Sequence, residues 1–250
     1  MFTDTHCHFE KQYYDNYEEV FQRAFDKGIN RFISCGCSKD ANEESLKLSN
    51  EYDFIYSTIG FHPDQADKYT KEDINDLENQ ITKNPKVIGI GEIGLDYHYE
   101  GYDKEKQIQL FEKQLCLAEK YNLPVVIHSR DATSDTIEVL KKHHVKGIIH
   151  SFSGSLETAN IYLKMGFKLG INGVVTFKNT NLRDTLYSLK PENIVFETDS
   201  PYLTPVPFRG EKNESKNVIY IAECVASLYG ISLEKLSEIT NQNVSQIFDI

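Results

Sequence analysis

The sequence predicts one α/β domain over residues 1–250 with the (β/α)8 TIM-barrel fold. Three observations predict it. Short apolar runs alternate with longer amphipathic stretches from end to end. Eight such pairs fit into 250 residues, a usual size for this barrel. No linker rich in Gly, Ser and Pro divides the chain. A doubly wound open sheet is the alternative architecture.

The strands are predicted from the apolar runs, whose limits are often marked by Gly or Pro. Pro85, Pro124 and Pro191 each stand just before a run. In chain order the predicted strands are Met1–Asp4, Arg31–Cys35, Phe54–Ile59, Val87–Gly91, Val125–His128, Gly147–His150, Phe167–Ile171 and Ile194–Glu197.

The helices are predicted from amphipathic stretches between these runs, and Gly28 and Gly166 mark two of their ends. The predicted helices are Tyr17–Lys27, Ala41–Glu51, Lys71–Lys83, Lys104–Tyr121, Ser134–Lys142, Leu156–Met165, Leu182–Ser188 and Asn217–Tyr229. The Pro-dense segment from Ser200 to Gly210 is predicted to be a long loop after the last strand.

Composition excludes several classes of protein. The 38 acidic and 27 basic residues give a net charge of −11, which argues against an extended basic groove for duplex nucleic acid. No run approaches the roughly 18 apolar residues of a membrane span. The start of the chain shows no secretory signal, and five cysteines are no disulfide framework. We therefore expect a cytoplasmic protein without membrane association.

The strongest chemical feature is the segment Asp4-Thr5-His6-Cys7-His8 at the end of the first run. Side chains alternate along a strand, so His6 and His8 are expected to project together and Cys7 to point away. Two neighbouring imidazoles suit a divalent ion such as Zn, Mn or Fe.

Other polar residues at the ends of predicted strands strengthen this hypothesis. Such ends converge on the catalytic face of a parallel barrel. Six ligands are too many for one tetrahedral ion and suit two ions that share a carboxylate. The six predicted ligands are His6, His8, Glu92, His128, His150 and Asp199.

Two further patterns are weaker. Gly89-x-Gly91-x-x-Gly94 matches a dinucleotide fingerprint, but an aromatic and polar stretch follows where that motif needs a helix, so no nucleotide cofactor is expected. Cys35-x-Cys37 has no partner pair. It is either a weak metal-binding pair or, more simply, two buried or loop thiols.

Six blocks of sequence resemble the TatD family of metal-dependent hydrolases, which belongs to the amidohydrolase group of barrels. They are spread in order over nearly the whole chain. The blocks are Asp4–His8, Gly60–Pro63, Gly89–Tyr97, Leu123–Ala132, His150–Gly154 and Glu197–Leu203.

This resemblance implies a metal-dependent deoxyribonuclease, often a 3′-to-5′ exonuclease, that acts on single strands or nucleic-acid ends. It also implies a partition of two divalent ions per subunit (Mg, Mn or Zn). One is held by His6, His8 and Asp199, the other by His128 and His150, with Glu92 bridging both. Two departures from the family are Asp64, where a His is common, and the less basic run Glu211–Ser215.

Roles in catalysis follow from the same residues. Asp199 is the expected general base, because a carboxylate that holds a metal can also accept a proton from water. His62 and Arg130 are expected phosphate contacts, with Arg209 a weaker one. A salt bridge to Asp131 is the alternative for Arg130.

Three function classes remain open at this point. The first is the deoxyribonuclease. The second is an amidohydrolase-type deacylase acting on an ester or amide such as D-aminoacyl-tRNA, since activated water attacks phosphorus and acyl carbon alike. The third is a binding module, which the full ligand set argues against. The sequence leaves the oligomeric state open.

Overall fold

Eight parallel strands form one sheet in which each strand pairs with the next in the sequence. The computed structural model describes all residues from Met1 to Ile250. A parallel bridge between Cys7 and Ser200 joins the end of the first strand to the segment after the last one and closes the sheet. The predicted (β/α)8 barrel is confirmed.

The strands are short and mostly buried, as expected where helices cover the outside of a parallel barrel. They are β1 (Phe2–Cys7), β2 (Ile29–Cys35), β3 (Ile55–Ile59), β4 (Val87–Asp96), β5 (Val125–Arg130), β6 (Gly147–Ile149), β7 (Phe167–Ile171) and β8 (Ile194–Phe196).

Nine helices surround them, and most begin at a residue whose side-chain oxygen accepts a backbone N–H of the first turn, as Asn16, Ser38, Asp103 and Ser232 do. The helices are α1 (Tyr17–Phe25), α2 (Lys39–Glu51), α3 (Lys71–Lys83), α4 (Lys104–Tyr121), α5 (Thr133–Leu140), α6 (Leu156–Lys164), α7 (Leu182–Tyr187), α8 (Val218–Tyr229) and α9 (Leu233–Phe248). None is long and apolar enough to cross a bilayer.

The ninth helix is absent from the sequence prediction, which paired eight helices with eight strands. In α9, buried Val244, Ile247 and Phe248 belong to one cluster with inward-facing strand residues such as Ile88 and Val126. Helix α9 therefore covers the amino-terminal mouth of the barrel and leaves the carboxyl-terminal mouth for a site.

Three strands extend beyond their predicted ends, and all three differences concern candidate site residues. Strand β1 continues past Asp4 to Cys7, β4 continues past Gly91 to Asp96, and β5 continues past His128 to Arg130. His6 and Glu92 consequently lie within strands rather than after them. The prediction stopped early because polar residues interrupt the apolar runs, although the structure buries those of β1 and β4 in the barrel.

We expect Phe248→Ala to lower the free energy of unfolding by about 3 kcal/mol, since it removes a buried aromatic side chain and leaves a cavity. Tyr187→Ala is the control, because Tyr187 is 74% exposed whereas Phe248 is 5% exposed. Denaturant unfolding monitored by circular dichroism measures both. Equal effects would show that α9 does not close the barrel core.

Candidate metal centre

The structure brings all six predicted ligands together at the carboxyl-terminal mouth of the barrel. They come from five different strands or the segments just after them. The ligand atoms form overlapping groups of three that lie within 4.8 Å of one another, among them His6, His8 and Glu92, and Glu92, His128 and His150. Imidazoles and carboxylates together are the donor set of Zn, Mn and Fe sites, so these residues fit a divalent ion.

The two histidines of β1 project to one side of the strand, as predicted. Their Nε2 atoms are 3.1 Å apart, whereas the Cys7 thiol faces the other way and donates to the Ile33 carbonyl at 3.4 Å. Backbone hydrogen bonds fix this end of β1: Asp199 N–H donates to His6 O at 2.9 Å, and His8 N–H donates to Ser200 O at 2.9 Å. The bonds that close the barrel therefore also place Asp199 beside His6 and His8.

Glu92 lies at the centre, and its two carboxylate oxygens face different histidines. Oε2 is 3.5 Å from His6 Nε2 and 3.8 Å from His8 Nε2. Oε1 is 2.8 Å from His128 Nδ1 and 3.8 Å from His150 Nε2. This division of one carboxylate between two pairs of imidazoles is the arrangement that a bridging ligand requires.

Asp199, in the segment after β8, completes the group of six predicted ligands, which we call the ligand ring. Its Oδ1 lies 3.5 Å from His8 Nε2 and 3.8 Å from the Nε2 atoms of both His6 and His150. The backbone at Asp199 is in the left-handed region, with φ of 55°, a strained conformation for a residue with a Cβ. Buried Asp4 supports it by accepting hydrogen bonds from Thr198 N at 2.9 Å and Thr198 Oγ1 at 2.6 Å.

The charges of the ligand ring favour the binding of cations. Burial raises the pKa of Glu92 and Asp199, but the surrounding imidazoles outweigh it and hold both pKa values below the usual range. Burial lowers the pKa of His128 and His150, but neighbouring carboxylates outweigh it and raise these pKa values to about 9 and about 10. A divalent ion would displace these protons, because only neutral imidazole can bind a metal.

Three residues lie behind the predicted ligands, and the sequence analysis considers only one of them, Cys35, as half of a weak metal-binding pair. Cys35 contacts both histidines of β1, with Sγ 3.2 Å from His6 Nδ1 and its carbonyl oxygen 3.0 Å from His8 Nδ1. Asp96 Oδ2 lies 3.1 Å from His128 Nε2, and Glu197 Oε1 lies 2.9 Å from His150 Nδ1. Asp96 and Glu197 stand in two of the blocks quoted above, and their position at strand ends was the available signal.

His62 and Arg130 lie near the ligand ring but differ in their partners. The His62 ring is 4.5 Å from the His128 ring, and its Nδ1 is 3.0 Å from Asp64 Oδ1. Arg130 lies over the ring of exposed Tyr99, 5.3 Å from its centre, and forms no ion pair with Asp131, which is instead 2.9 Å from His98 Nδ1. The Arg130 guanidinium is therefore available to a ligand.

Arg209 is held within the loop after β8. Its guanidinium lies 3.9 Å from the centre of the Phe177 ring, and it donates to the Thr204 carbonyl at 3.2 Å. None of these contacts is with a metal ligand.

Exposed and half-buried tyrosines lie near the strand ends. The Tyr202 ring is 6.4 Å from the His8 ring, and the Tyr202 and Tyr13 hydroxyls are 2.7 Å apart. After β4, exposed Tyr99 lies beside Arg130, and half-buried Tyr97 stacks on exposed Tyr102 at 4.6 Å.

The glycines of the dinucleotide-like pattern all lie inside β4, which continues to Asp96. They serve close packing against β5: a Cβ at Gly94 would lie 1.9 Å from the His128 carbonyl oxygen. They do not form a loop that opens a helix.

Comparison with known proteins agrees with this geometry. Residues 3–249 match the family described as TatD related DNase. The chain belongs to the TatD family. Among its relatives, the chain is 39% identical to the uncharacterized metal-dependent hydrolase YabD of Bacillus subtilis, with all of both chains covered. It is 32% identical to the uncharacterized metal-dependent hydrolase YcfH of Escherichia coli K12, covering 99% of this chain and 95% of YcfH. The resemblance predicted from the six blocks is confirmed.

Solved structures give the same result for the TatD fold. The TatD homologue YjjV from Escherichia coli K12 superposes with a TM-score of 0.95 at 28% identity, covering 100% of this chain and 98% of YjjV. A TatD-family hydrolase from Entamoeba histolytica superposes with a TM-score of 0.88 at 25% identity, covering 99% and 97%. The candidate metal centre therefore lies in a barrel of the TatD type.

The loop after β8 is attached to α1 by an ion pair that lends itself to a pH test. Arg23 binds Glu214 through two hydrogen bonds, at 2.8 and 3.0 Å. Burial raises the pKa of Glu214, but Arg23 and Lys216 outweigh it and hold the pKa below its usual range. The stabilisation is therefore present above the ordinary pKa of a glutamate and is lost as the pH falls through the lower pKa of the folded state.

We expect Glu214→Gln to cost about 0.5–1 kcal/mol at pH 7, a small value because Arg23 is partly exposed and the pair is screened. The difference in unfolding free energy between variant and parent should vanish as the pH falls from about 5 to about 3. Urea unfolding across that range measures it. A difference that stays constant with pH would contradict the ion pair.

Proposed function

We propose that this TatD protein is a deoxyribonuclease that removes nucleotides from the 3′ ends of single strands by hydrolysis of phosphodiester bonds. The observation that supports it is the position of Glu92, whose two oxygens face two separate pairs of histidines. The description of its family as TatD related DNase directs the choice of substrate.

In this proposal His6, His8 and Asp199 hold one divalent ion, His128 and His150 hold a second, and Glu92 contacts both. When bound, two such ions lower the pKa of a water molecule and stabilise negative charge on phosphoryl oxygens. The histidine-rich donor set suits Zn or Mn by ligand softness, and Mg remains a third possibility for the working ion.

Asp199 is the proposed proton acceptor. Its Oδ1 faces three histidines, so Oδ2 is the atom left to take a proton from the attacking water. The hydrogen bonds from Thr198 to Asp4 hold the backbone next to Asp199 in place, and a carboxylate at a fixed position favours a single direction of proton transfer.

The placement of charge bears on how an acidic chain accepts a phosphate. Two divalent ions would bring about +4, and the carboxylates Glu92, Asp199, Asp96 and Glu197 around them about −4. Asp96 and Glu197 lie behind the histidines, so a phosphate at the mouth would meet the ions first, although the chain as a whole carries −11.

Substrate contacts are proposed on two sides of the ring. His62 lies close enough to His128 in the ligand ring to donate to a phosphate oxygen bound there. Arg130 offers a planar guanidinium that is not paired with a carboxylate. Arg209 stays a predicted contact. Exposed Tyr99 and Tyr202 present faces on which unpaired bases can stack, which supports a single-stranded substrate.

We expect Glu92→Ala and His128→Ala each to reduce hydrolysis of a 3′-labelled single-stranded oligonucleotide by more than about 100-fold, since each removes a ligand of the ring. The fold should persist, because the apolar core is separate from the ligands. Chelation should abolish activity and added Mn²⁺ or Zn²⁺ should restore it in the parent protein alone. Circular dichroism checks the fold.

The same preparation should be assayed with D-aminoacyl-tRNA and a simple ester. Hydrolysis of these substrates without cleavage of the oligonucleotide would replace the nuclease by a deacylase. Full activity of either variant after chelation would contradict the two-ion centre itself.

Arg130→Ala should raise KM for the oligonucleotide about 10-fold or more with a smaller change in kcat, because its guanidinium binds phosphate in ground state and transition state alike. Arg130→Lys keeps the charge but loses the fork and should restore only part of the affinity. Steady-state kinetics of the three proteins measure this. An unchanged KM in Arg130→Ala would remove Arg130 from the substrate site.

A further inference from the structure

We propose that Glu197 and Asp96 are positioning residues, which fix the rings of His150 and His128 so that the nitrogen facing Glu92 is free to bind a metal ion. This inference rests on the proposed two-ion centre and adds an asymmetry to it. The ion held by His128 and His150 depends on carboxylates behind its ligands, whereas the ion held by His6 and His8 does not.

Glu197 is the clearest case. It follows β8 directly, is completely buried, and forms no ion pair with any Lys or Arg. Its Oε1 accepts a hydrogen bond from Ser151 N at 2.7 Å and lies 2.9 Å from His150 Nδ1. A buried carboxylate is costly without a compensating polar partner, and a proton on His150 Nδ1, 2.9 Å from Oε1, would provide one while leaving Nε2 free.

The neighbouring strand leaves space for this carboxylate. Gly170 in β7 lies against it, and a Cβ at that position would be 2.2 Å from Glu197 Oε2. Any larger residue at position 170 would force the carboxylate away from His150. Glu197 is therefore fitted to its place from three sides, by Ser151, His150 and Gly170.

Asp96 repeats the arrangement at the end of β4. Its Oδ1 accepts a hydrogen bond from His98 N at 2.9 Å, and its Oδ2 lies 3.1 Å from His128 Nε2. The other ring nitrogen of His128, Nδ1, lies 2.8 Å from Glu92 Oε1. A proton on Nε2, held by Asp96, leaves the lone pair of Nδ1 directed towards the Glu92 side.

The two histidines of β1 have neutral partners instead. Both contact Cys35, His6 through the sulfur atom and His8 through the backbone carbonyl. A carboxylate behind a metal-binding histidine raises the basicity of the ligand and fixes its tautomer, more strongly than a neutral acceptor does. Carboxylates therefore lie behind His128 and His150 but not behind His6 and His8.

A different role for Asp96 is as a ligand of a third ion together with His62 and His128, since their ligand atoms lie within 4.8 Å of one another. Such an ion would bind His128 Nε2 while Nδ1 binds in the main centre. The ring would then have to lose both protons, which neutral imidazole resists near pH 7. We therefore favour the positioning role, and the test below distinguishes the two.

The test compares Glu197→Gln and Asp96→Asn with the parent protein by metal analysis and by competition for Zn²⁺ with a chromophoric chelator. Both substitutions keep the shape of the side chain and remove its charge. We expect the parent to bind two ions, and each variant to bind one of them about 10- to 100-fold more weakly with the other unchanged. Activity should recover at excess Zn²⁺, which a misfolded variant would not show.

Two further variants complete the design. Glu214→Gln removes a half-buried carboxylate outside the centre and should leave the affinity for both ions unchanged. Gly170→Ala should displace Glu197 without touching a ligand, lower the affinity for the same ion, and add little to Glu197→Gln in the double variant. If Glu197→Gln fails to fold, Gly170→Ala carries the test alone.

The outcomes separate the two proposals. A parent protein that binds no ion would overturn the proposed function. A parent that binds two ions, with unchanged affinities in Glu197→Gln, Asp96→Asn and Gly170→Ala, would overturn the positioning role only. A parent that binds three ions and loses the third in Asp96→Asn would make Asp96 a ligand and contradict its positioning role.

Discussion

The arrangement of the site depends on one buried carboxylate, that of Glu92, shared between four imidazoles. Burial alone would favour the protonated acid, and the histidines around it reverse that preference. The histidines come from β1, β5 and the segment after β6, so the charge of Glu92 is stabilised only when these parts of the barrel are in register. The same contacts that stabilise the charge also bring the predicted metal ligands close together.

The backbone contacts that close the barrel also assemble the candidate site. The bridge between Cys7 and Ser200 closes the sheet, and the hydrogen bonds beside it join the backbone of His6 and His8 to that of Asp199 and Ser200. Asp4 reinforces this junction from below through Thr198. A barrel that closed in another register would separate Asp199 from His8, so the position of the most distant ligand follows from the sheet and needs no flexible loop.

The sequence predicted the barrel and the proximity of the six ligands, because the alternation of elements specifies the topology and the topology brings strand ends together. It missed helix α9, because eight strand–helix pairs already complete a barrel and a further helix over its amino-terminal mouth is not required by that pattern. It also ended β1, β4 and β5 too early at polar residues. Partners such as Asp96 and Glu197 escaped prediction because they act on rings 32 and 47 positions away, and only the three-dimensional register shows which histidine each one faces.

The distribution of charge in this protein bears on the proposed nucleic-acid substrate. A chain with a net charge of −11 repels a polyanion at long range, and divalent ions bound at the mouth, together with Arg130, would oppose that repulsion. Binding by displacement of counterions along a strand needs many Lys and Arg contacts, and the 27 basic residues of this chain are outnumbered by 38 acidic ones. Attraction would therefore be confined to the phosphate beside the ions, while exposed tyrosines would contribute contacts that are insensitive to charge. A site of this kind would hold a strand at a single phosphate and not along its length, which suits the proposed cleavage at an end.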